Sequence, residues 1–505
     1  MKKYLTLFNS HAEYEQYVSG NFEKPNVSHC VQEGDVHYNP WTWAEEYLTT
    51  VALGDGTISF NILKSMGTGY ITSISYSTDN GETWTTTPNQ NNKTVHLSID
   101  VNVNDGDKVM WKGDAQQLGY YSENYGDYVG SFFSSDCEFD AQGNVMSLLY
   151  GDNFKGQTDL TGKDCAFCAL FYDYDGEKHC GIVNAKDLSL PATTLASSCY
   201  SNMFNGCTNL TSAPELPATT LASSCYYYMF NGCTNLTTTP ELPATTLAIS
   251  CYYNMFNGCT SLTTAPVLPA TTSASNCYDS MFRNCTNLTT TPSVLPATTM
   301  ANYCYQRMFY GCTALTTAPK LPATTLKSYC YTGMFQGCTN LTTAPELPAT
   351  TLTNSCYYDM FQGCSRLTTA PALPATTLAS DCYNKMFYGC TNLTTAPELP
   401  ATTLANYCYY SMFRECASLT VAPELPATTL ASSCYRQMFQ GCTKLNYIKA
   451  MFTTTPSGSS PNYYTQNWVN GVASSGTFVK NAAATWTTTG VNGVPTGWTV
   501  QTASA

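Results

Sequence analysis

The pattern of apolar and polar positions changes character along the chain. Between residues 41 and 150, short runs such as GTISFNIL, GYITSISYS and KTVHLSIDV alternate apolar with polar residues and are separated by Asp-Gly, Asn-Gly or other polar turns. Such runs are typical of antiparallel strands. We therefore predict a small antiparallel β-sandwich domain over residues 41–150, preceded by an N-terminal arm over residues 1–40.

From residue 190 onward the pattern repeats with a much longer period. The motif LPATT begins ten times, first at Leu190 and last at Leu425, and every interval is 26 residues except one of 27. Self-similarity at this period predicts a solenoid, because stacked copies bury apolar side chains that one copy cannot bury alone. We predict ten coils over residues 190–452, an N-terminal cap over residues 151–189 and a C-terminal β-rich cap over residues 453–505.

Every copy contains the pattern CYxxMFxxC, whose apolar positions fall on one face of a helix. Ser or Asn stands two residues before the first Cys in nine copies, as at a helix N-cap, and Ile249 is the exception. Gly precedes the second Cys in eight copies, with Asn284 and Glu415 in the others, which suits a left-handed residue at a helix end. We predict two helical turns in each coil.

A Leu three residues after the second Cys begins Thr-rich extended sequence that runs to a Pro. We predict that this segment is one short strand per coil, paired in parallel with its neighbours. The predicted core of the first coil consists of Cys199, Met203, Phe204, Cys207 and Leu210.

These residues resemble the BspA-like leucine-rich repeat, in which a strand ending in Ile-Pro or Leu-Pro precedes Ala-Phe, a Cys and a Leu. Met203-Phe204 stands where that family has Ala-Phe, Cys207 and Leu210 match its Cys and Leu, and Leu216-Pro217 matches the strand end. The copies here are a few residues longer, and Cys199 occupies a position that is usually aliphatic. The resemblance covers the ten copies and implies a leucine-rich-repeat solenoid with an adhesive function, as in surface proteins of host-associated microbes and fibre-like proteins of gut phages.

Twenty of the 25 cysteines lie in the repeats. Buried free thiols explain them best, because free Cys is among the most buried residue types. Disulfides between adjacent coils are an alternative, although parallel side chains point in unsuitable directions. Zinc sites favour closely spaced pairs, whereas these cysteines are eight residues apart without a recurring His. We predict no metal and no cofactor.

One cluster outside the repeats has the composition of a metal site. It consists of Cys165, Cys168, His179 and Cys180, in the segments CAFC and HC. The same segment, CAFCALF, also matches a degenerate first coil in which Leu170-Phe171 replaces Met-Phe. We favour this second interpretation because a solenoid needs a cap at each end.

The chain carries an acidic excess, with 35 Asp and Glu against 22 Lys and Arg and a net charge of -13. Such a surface repels phosphates, so we expect no nucleic-acid partner. No apolar run approaches the roughly 18 residues that cross a bilayer, and the apolar part of MKKYLTLF is too short for a signal peptide. We expect neither membrane insertion nor export by a signal of its own.

The segment STDNGETW, from Ser77 to Trp84, matches the Asp-box S-x-D-x-G-x-T-W of sialidases. That resemblance implies a glycosidase only with several copies and an arginine cluster, and this chain has one copy and few arginines. Asp-Asn-Gly is a strong turn signal, so we predict a β-hairpin. Five His residues without a recognisable pairing, no nucleophile motif and no Gly-rich phosphate loop favour a non-enzymatic protein. A glycan-active enzyme in the N-terminal β domain is the alternative of another class.

The copies differ most at the two residues between CY and MF. Together with the residue after MF, these positions are predicted to form an outward stripe, and Tyr and Arg there are typical of binding surfaces. The candidate ligand-binding residues are Tyr227, Tyr228, Tyr253, Arg307, Tyr358, Tyr410 and Arg436. Drift of exposed positions would produce similar variation, and the near-identical Thr row on the strand face is an alternative docking surface.

These observations predict a non-enzymatic adhesion or recognition protein that presents a repeat surface to a cell-surface protein or glycan. The N-terminal β domain would anchor the chain or assemble it into a homo-oligomer. Because the chain has no visible export signal and many thiols, a phage virion fibre or receptor-binding component is the first expectation for its location. A bacterial cell-surface adhesin is the alternative.

Overall fold

The computed structural model describes residues 6–8, 29–33, 36–38, 45–62, 73–87, 97–123, 127–172 and 180–503. The strands, in chain order, are β1 (Thr6–Phe8), β2 (His29–Glu33), β3 (Val36–Tyr38), β4 (Leu48–Ala52), β5 (Gly56–Ile62), β6 (Ile74–Ser77), β7 (Thr85–Thr86), β8 (Leu97–Val103), β9 (Lys108–Gly113), β10 (Gly119–Ser122), β11 (Asp127–Gly130), β12 (Phe132–Ser135), β13 (Phe139–Asn144), β14 (Ile182–Asn184), β15 (Leu188–Ser189), β16 (Tyr447–Ala450), β17 (Thr477–Lys480) and β18 (Thr499–Thr502). A short helix, α1 (Ser147–Tyr150), leads into a 3-10 turn (Gly151–Asn153).

The N-terminal strands form four sheets. Strands β1 to β3 make a small sheet in which β1 and β2 are parallel, and β10 and β11 form a hairpin. A third sheet has the antiparallel order β12-β5-β8. The largest has the order β14-β13-β4-β9-β6-β7, and β15 also pairs with β13. Strands β14 and β15 are parallel to β13 and carry this sheet past residue 150.

Aromatic rings join the two larger sheets. Trp111 on β9 lies 5.2 Å from Phe133 on β12 and 6.0 Å from Phe60 on β5, measured between ring centroids. All three side chains have no exposed surface. The sheets predicted for the N-terminal region are therefore present and share a buried aromatic contact, while the sandwich topology and the domain boundaries stay predictions.

The repeats lack the helix predicted for each coil. The CYxxMFxxC stretch is a succession of turns, in which every fourth residue has a positive φ. In the first copy these residues are Ser198 (56°), Asn202 (57°) and Gly206 (74°). A left-handed residue at every fourth position is incompatible with a right-handed helix, so the helix prediction is wrong. The Gly before the second Cys has the predicted left-handed conformation. It is, however, the third of three left-handed residues in each copy and does not end a helix.

The hydrogen bonds of this segment explain why no helix forms. The N–H of Tyr200 donates to the carbonyl of Cys225 in the next coil (3.0 Å), and that of Phe204 to the carbonyl of Met229 (2.9 Å). Residues between these donors close turns in their own coil, as Met203 does on the carbonyl of Tyr200 (3.3 Å). Alternate N–H groups thus join one coil to the next and cannot take part in a helical ladder.

Prolines replace the predicted strand in the first nine coils. Each of these copies has two prolines in or near the segment APELP, and a Pro has no N–H to donate to a sheet. Neighbouring coils are joined there only by isolated bridges, such as Thr264 to Thr290 and Thr317 to Thr343. The tenth copy has no proline between Leu445 and Ala450, and there β16, β17 and β18 pair in parallel as a true sheet. The strand prediction is therefore wrong in the first nine copies and correct in the tenth, where β16 occupies the predicted place.

The predicted core of the coil is buried, and a column of tyrosines adds to it. Cys199, Met203, Phe204, Cys207 and Leu210 are at most 2 % exposed. The Tyr of CYxxMFxxC is also buried, and successive tyrosine rings from Tyr200 to Tyr435 stack with centroids 5.3 to 6.0 Å apart. A parallel column of phenylalanines, from Phe171 to Phe439, stacks at 5.1 to 5.9 Å. Two aromatic columns therefore run the length of the solenoid.

The second Cys of each copy has a defined hydrogen-bond partner. The thiol of Cys233 donates to the carbonyl of Phe204 (3.0 Å), and that of Cys338 to the carbonyl of Phe309 (3.0 Å), in each case in the preceding coil. Of the 25 cysteines, all except Cys30, whose side chain the structure does not describe, are free, as the free-thiol interpretation predicted. A disulfide would remove the S–H donor and leave a buried carbonyl without this bond.

The N-terminal sheets close one end of the solenoid. Phe167 and Phe171 stack on Tyr200 (5.6 Å) and Phe204 (5.1 Å), so the segment CAFCALF continues both aromatic columns. The carbonyls of this segment accept hydrogen bonds from the β domain, from Leu118 to Ala166 (3.0 Å) and from Phe133 to Leu170 (2.8 Å). The backbone groups that would be open at the first coil are thus satisfied by the neighbouring strands.

The C-terminal segment closes the other end. After the last copy, Tyr463, Asn467 and Gly471 repeat the positive φ of every fourth residue, and Phe439 donates to the carbonyl of Trp468 (2.8 Å). The N–H groups of this final turn segment have no further coil to reach. Those of Tyr463 and Thr465 donate instead to the carbonyls of Ser459 (2.9 Å) and Ser457 (3.1 Å).

We expect the glycine before the second Cys to contribute through its backbone conformation. Gly363 has φ +74°, and a Cβ there would lie 3.8 Å from the nearest atom, an ordinary contact. Replacing Gly363 with Ala should therefore cost about 1 kcal/mol of unfolding free energy, from the left-handed conformation alone. Asn should cost less, because Asn tolerates this conformation and Asn284 holds the equivalent place at φ 59°. Urea unfolding measures both, and an Ala variant as stable as the wild type would contradict the explanation.

We expect the repeat thiols to be unreactive in the folded protein. Burial raises the pKa of Cys251 and Cys338 to about 12, so almost no thiolate exists at pH 8. Half-buried Cys137 and Cys180 should react with a thiol reagent first, and the twenty repeat cysteines only on unfolding. Mass spectrometry of the labelled peptides distinguishes the two sets. Rapid labelling of most repeat thiols in the native state would refute the buried core.

Candidate ligand-binding surface

The variable positions of the ten copies form a continuous surface, which we call the turn stripe. It consists of the two residues between CY and MF and the residue after MF in each copy, from Ser201 to Gln440. Most of these side chains are half-buried, because each lies against its equivalent in the next coil. In two places this contact is an amide ladder, from Asn231 to Asn205 (2.8 Å) and from Gln336 to Gln362 (2.8 Å).

Three of the predicted ligand-binding residues lie together near the N-terminal end of the turn stripe. The rings of Tyr227 and Tyr253 stack at 5.0 Å, and Tyr228 contacts both. Tyr227 also meets Tyr128 of β11 edge to face at 5.7 Å. The Ser198 hydroxyl donates to the Tyr128 hydroxyl (2.8 Å). This tyrosine group therefore packs partly against the N-terminal domain.

Arg307 lies in the middle of the turn stripe and is exposed. It has φ +50°, and Gly333 occupies the equivalent position of the next copy. Arg283 lies nearby with its guanidinium 4.8 Å from the centre of the Tyr310 ring. The sequence prediction included Arg307 but omitted Arg283 and Tyr310, although both occupy the variable position after MF.

The C-terminal part of the turn stripe alternates cations and tyrosines. Lys385 lies 5.4 Å from the ring centre of Tyr358 and donates to its hydroxyl (3.2 Å). Arg436 lies over Tyr410 at 5.5 Å, so three predicted residues, Tyr358, Tyr410 and Arg436, belong to such pairs. Two further pairs complete the series: Arg414 over Tyr388 (5.3 Å), and Arg436 over Tyr463 (5.2 Å).

Sequence reasoning missed several members of these pairs. Tyr388 and Arg414 stand after MF, a position that belongs to the predicted stripe and also varies between the copies, so the comparison of copies contained the signal. Tyr463 lies beyond the last copy. The repeat motif does not include Tyr463, which joins the series because the C-terminal segment adds one more turn segment to the solenoid.

Two carboxyl groups in the turn stripe are largely removed from water. Burial raises the pKa of Asp279 to about 6, partly offset by hydrogen bonds from Ser280 and Asn276. Burial also raises the pKa of Asp359 to about 6, although the positive charge of Lys385 lowers it in part. Both groups therefore ionise near neutral pH, and acidification makes the stripe more positive.

The Thr-rich face, the alternative docking surface, carries a groove of about 590 Å³ between two neighbouring coils. Thr237 to Pro243 line one side, and residues from Thr263 to Pro269 line the other. Val267 at its edge is 72 % exposed. Thr hydroxyls on this face donate to carbonyls of the preceding coil, as Thr289 does to Thr263 (3.2 Å). Those hydroxyls are therefore already engaged in hydrogen bonds between coils.

The Asp-box segment forms the predicted hairpin between β6 and β7. Asp79 accepts hydrogen bonds from the hydroxyl of Ser77 (2.7 Å) and the N–H of Thr83 (2.9 Å), which lower its pKa to about 2. Trp84 at the hairpin base lies under the ammonium of Lys112 (4.1 Å). The carboxylate thus holds the turn together, as a fold element of this kind requires.

The cysteine cluster that resembled a metal site is only partly described. Cys165 and Cys168 are buried in the first turn segment, and His179 lies outside the described residues. Within the described ranges, no three His, Cys, Asp or Glu side chains come close enough to hold a metal ion. In the same ranges, no helix is both long and apolar enough to cross a bilayer.

Comparison with known proteins agrees with this architecture. A family model described as the BspA type leucine rich repeat region matches six copies, over residues 180–316, 302–446 and 383–467. These matches extend over more than half of the chain. The chain belongs to the BspA-type leucine-rich repeat family. The repeats are therefore a leucine-rich-repeat solenoid, and the family supports a surface recognition protein on a scaffold that is typically non-enzymatic.

The other comparisons add little to the BspA-type assignment. Curated protein sequences give no match. Among solved structures, a chain of the crystal structure of a TLR13-ssRNA13 complex is similar at 14 % identity and a TM-score of 0.23. That similarity covers 63 % of this chain and 45 % of the other, so this chain spans less than half of that protein's length.

The raised pKa of Asp279 predicts how stability depends on pH. An unfolded Asp ionises near pH 4, whereas folded Asp279 ionises at about pH 6, so the folded state loses relative stability as pH rises through this interval. Asp279→Asn should raise the unfolding free energy by about 1–2 kcal/mol at pH 7.5, with the gain declining towards pH 4. Urea unfolding at both pH values measures this. A gain that is equal at the two pH values would contradict the assigned pKa.

Proposed function

We propose that this BspA-type chain is a non-enzymatic recognition protein that binds a cell-surface glycan or protein through the turn stripe. The observation that carries the proposal is the composition of the stripe. Its thirty positions hold Tyr, Arg, Lys, Asn, Gln, Ser, Thr, Asp and Gly, with no aliphatic residue and no Phe, Trp or Met. Tyr and Arg are the side chains that most often dominate binding energy.

The rigidity of the backbone supports the same proposal. Each stripe residue sits on a turn segment whose alternate N–H groups bond to the next coil, and several side chains contact their equivalents, as Asn231 and Asn205 do. Little conformational freedom then remains to be lost when a ligand binds. The Thr-rich face is the weaker candidate because one row of its hydroxyls, including those of Thr237, Thr289 and Thr342, already bonds to the preceding coil.

A glycan is the favoured ligand class. Protein interfaces usually contain an apolar core, which the stripe lacks. Planar amides, hydroxyls and tyrosine rings are suited instead to a partner that is rich in hydroxyl groups. We include cell-surface proteins as partners because the BspA-type family is a general recognition scaffold.

The BspA-type family favours a bacterial cell surface as the location. A phage virion fibre is a second candidate, favoured by the 24 free thiols of the described residues, since such thiols suit assembly in a reducing compartment. In either setting the N-terminal β domain would anchor the solenoid or assemble several copies, with the turn stripe left free to bind.

The proposal is tested with a glycan array and two variants of the full-length protein. The stripe variant carries Tyr253→Ser, Arg307→Ser, Tyr358→Ser, Tyr410→Ser and Arg436→Ser, which leave Tyr227 at the domain contact intact. We expect it to lose at least about tenfold in affinity for any glycan that the wild type binds. The groove variant, Val267→Arg on the Thr-rich face, should bind like the wild type.

Thermal unfolding of both variants checks that the solenoid is intact. Loss of binding in the groove variant alone would move the binding surface to the Thr-rich face. Glycan turnover by the wild-type protein would favour the enzymatic alternative instead.

A further inference from the structure

At the C-terminal end of the turn stripe lies a distinct group of side chains, which we call the arginine-tyrosine patch. It consists of Tyr410 and Arg436 of the stripe together with Tyr407 and Tyr463, which lie beside the stripe. The Arg436 guanidinium lies 5.5 Å from the ring centre of Tyr410 and 5.2 Å from that of Tyr463. Tyr407 contacts Tyr410 at 6.2 Å and is 39 % exposed. Two coils and the C-terminal segment thus meet around one cation.

Arg436 differs from Arg414 and Lys385 of the turn stripe in lacking an acidic partner. Arg414 forms an ion pair with Glu415 (3.4 Å), and Lys385 is attracted by Asp359. Within residues 180–503, no ion pair or side-chain hydrogen bond engages the Arg436 guanidinium, and its buried Nε has no hydrogen-bond partner. The positive charge of Arg436 is thus not neutralised by any acidic side chain of these residues, and an anionic ligand would supply the opposite charge.

Two tyrosine rings also contact this guanidinium. Cation–π attraction to both rings restrains its position, and its Nη groups, unlike Nε, are not buried and can still donate to a ligand. A guanidinium presented by its edge matches a carboxylate, which can accept two parallel hydrogen bonds. The patch is therefore organised for a planar anion.

We propose that the arginine-tyrosine patch binds the carboxylate of an acidic saccharide, with the sugar ring against Tyr407 and Tyr410. This inference rests on the proposed recognition function and names its ligand class. An acidic peptide is disfavoured because no aliphatic side chain of the turn stripe could receive its apolar residues. A nucleic acid is disfavoured because its many phosphates would be repelled by the net charge of -13.

Matched ligand pairs test the need for the carboxylate. Sialyllactose is compared with lactose, and an oligogalacturonide with its methyl ester, by calorimetry on the full-length protein at low and high salt. We expect one of the two acidic sugars to bind at least about tenfold more tightly than its neutral partner, with weaker binding at high salt. The two pairs distinguish sialic acid from uronic acid as the source of the carboxylate.

Three variants test the role of Arg436. Arg436→Gln should reduce affinity for the acidic sugar at least about tenfold and leave the neutral sugar unaffected. Arg436→Lys keeps the positive charge but loses the planar guanidinium that can donate two parallel hydrogen bonds. It should therefore recover only part of the affinity. Arg366→Gln removes the same charge from an exposed position outside the turn stripe and should have no effect.

The possible outcomes separate this inference from the proposed function. If the stripe variant loses glycan binding while Arg436→Gln keeps it, the stripe is the binding surface and the patch is not the carboxylate site. Equal binding of acidic and neutral sugars would overturn the patch assignment. Tighter binding of polyglutamate or single-stranded DNA than of either acidic sugar would overturn the saccharide class.

Discussion

The solenoid depends on one feature of backbone hydrogen bonding. In the CYxxMFxxC segment, alternate N–H groups bond to carbonyls of the next coil, and the groups between them close turns within their own coil. This arrangement requires a left-handed residue at every fourth position, and it places equivalent side chains of neighbouring coils in contact. The stacked tyrosines and phenylalanines, the thiol-carbonyl bonds and the turn stripe all follow from that contact.

The sequence predicted the architecture well and the local backbone poorly. The period of 26 residues and the invariant apolar positions indicate a solenoid and its core, because burial depends on which residues recur. The helix prediction failed because spacings of four and eight residues suit a succession of four-residue turns as well as a helix. The deciding signal was present at Asn202, Asn254 and Gly333, residue types that tolerate positive φ, four residues before the glycine column.

The strand prediction failed for a different reason. The Thr-rich segment has the composition of a strand, but the prolines that follow it remove N–H donors that a sheet ladder needs. The candidate surface was predicted in outline, since variation between copies identified Tyr358, Tyr410 and Arg436. What makes Arg436 distinctive, its ring contacts and its missing acidic partner, depends on Tyr463 beyond the last copy and requires three-dimensional structure.

Capping at both ends has a consequence for how such a chain can change. The first turn segment is closed by Leu118 and Phe133, and the last by Ser457 and Ser459, whereas every internal coil meets an equivalent of itself. Gain or loss of one whole 26-residue unit by recombination therefore leaves both terminal seals and every internal junction intact. A lineage can thereby lengthen or shorten its recognition face in single steps, with the new rung free to diverge at its three variable positions.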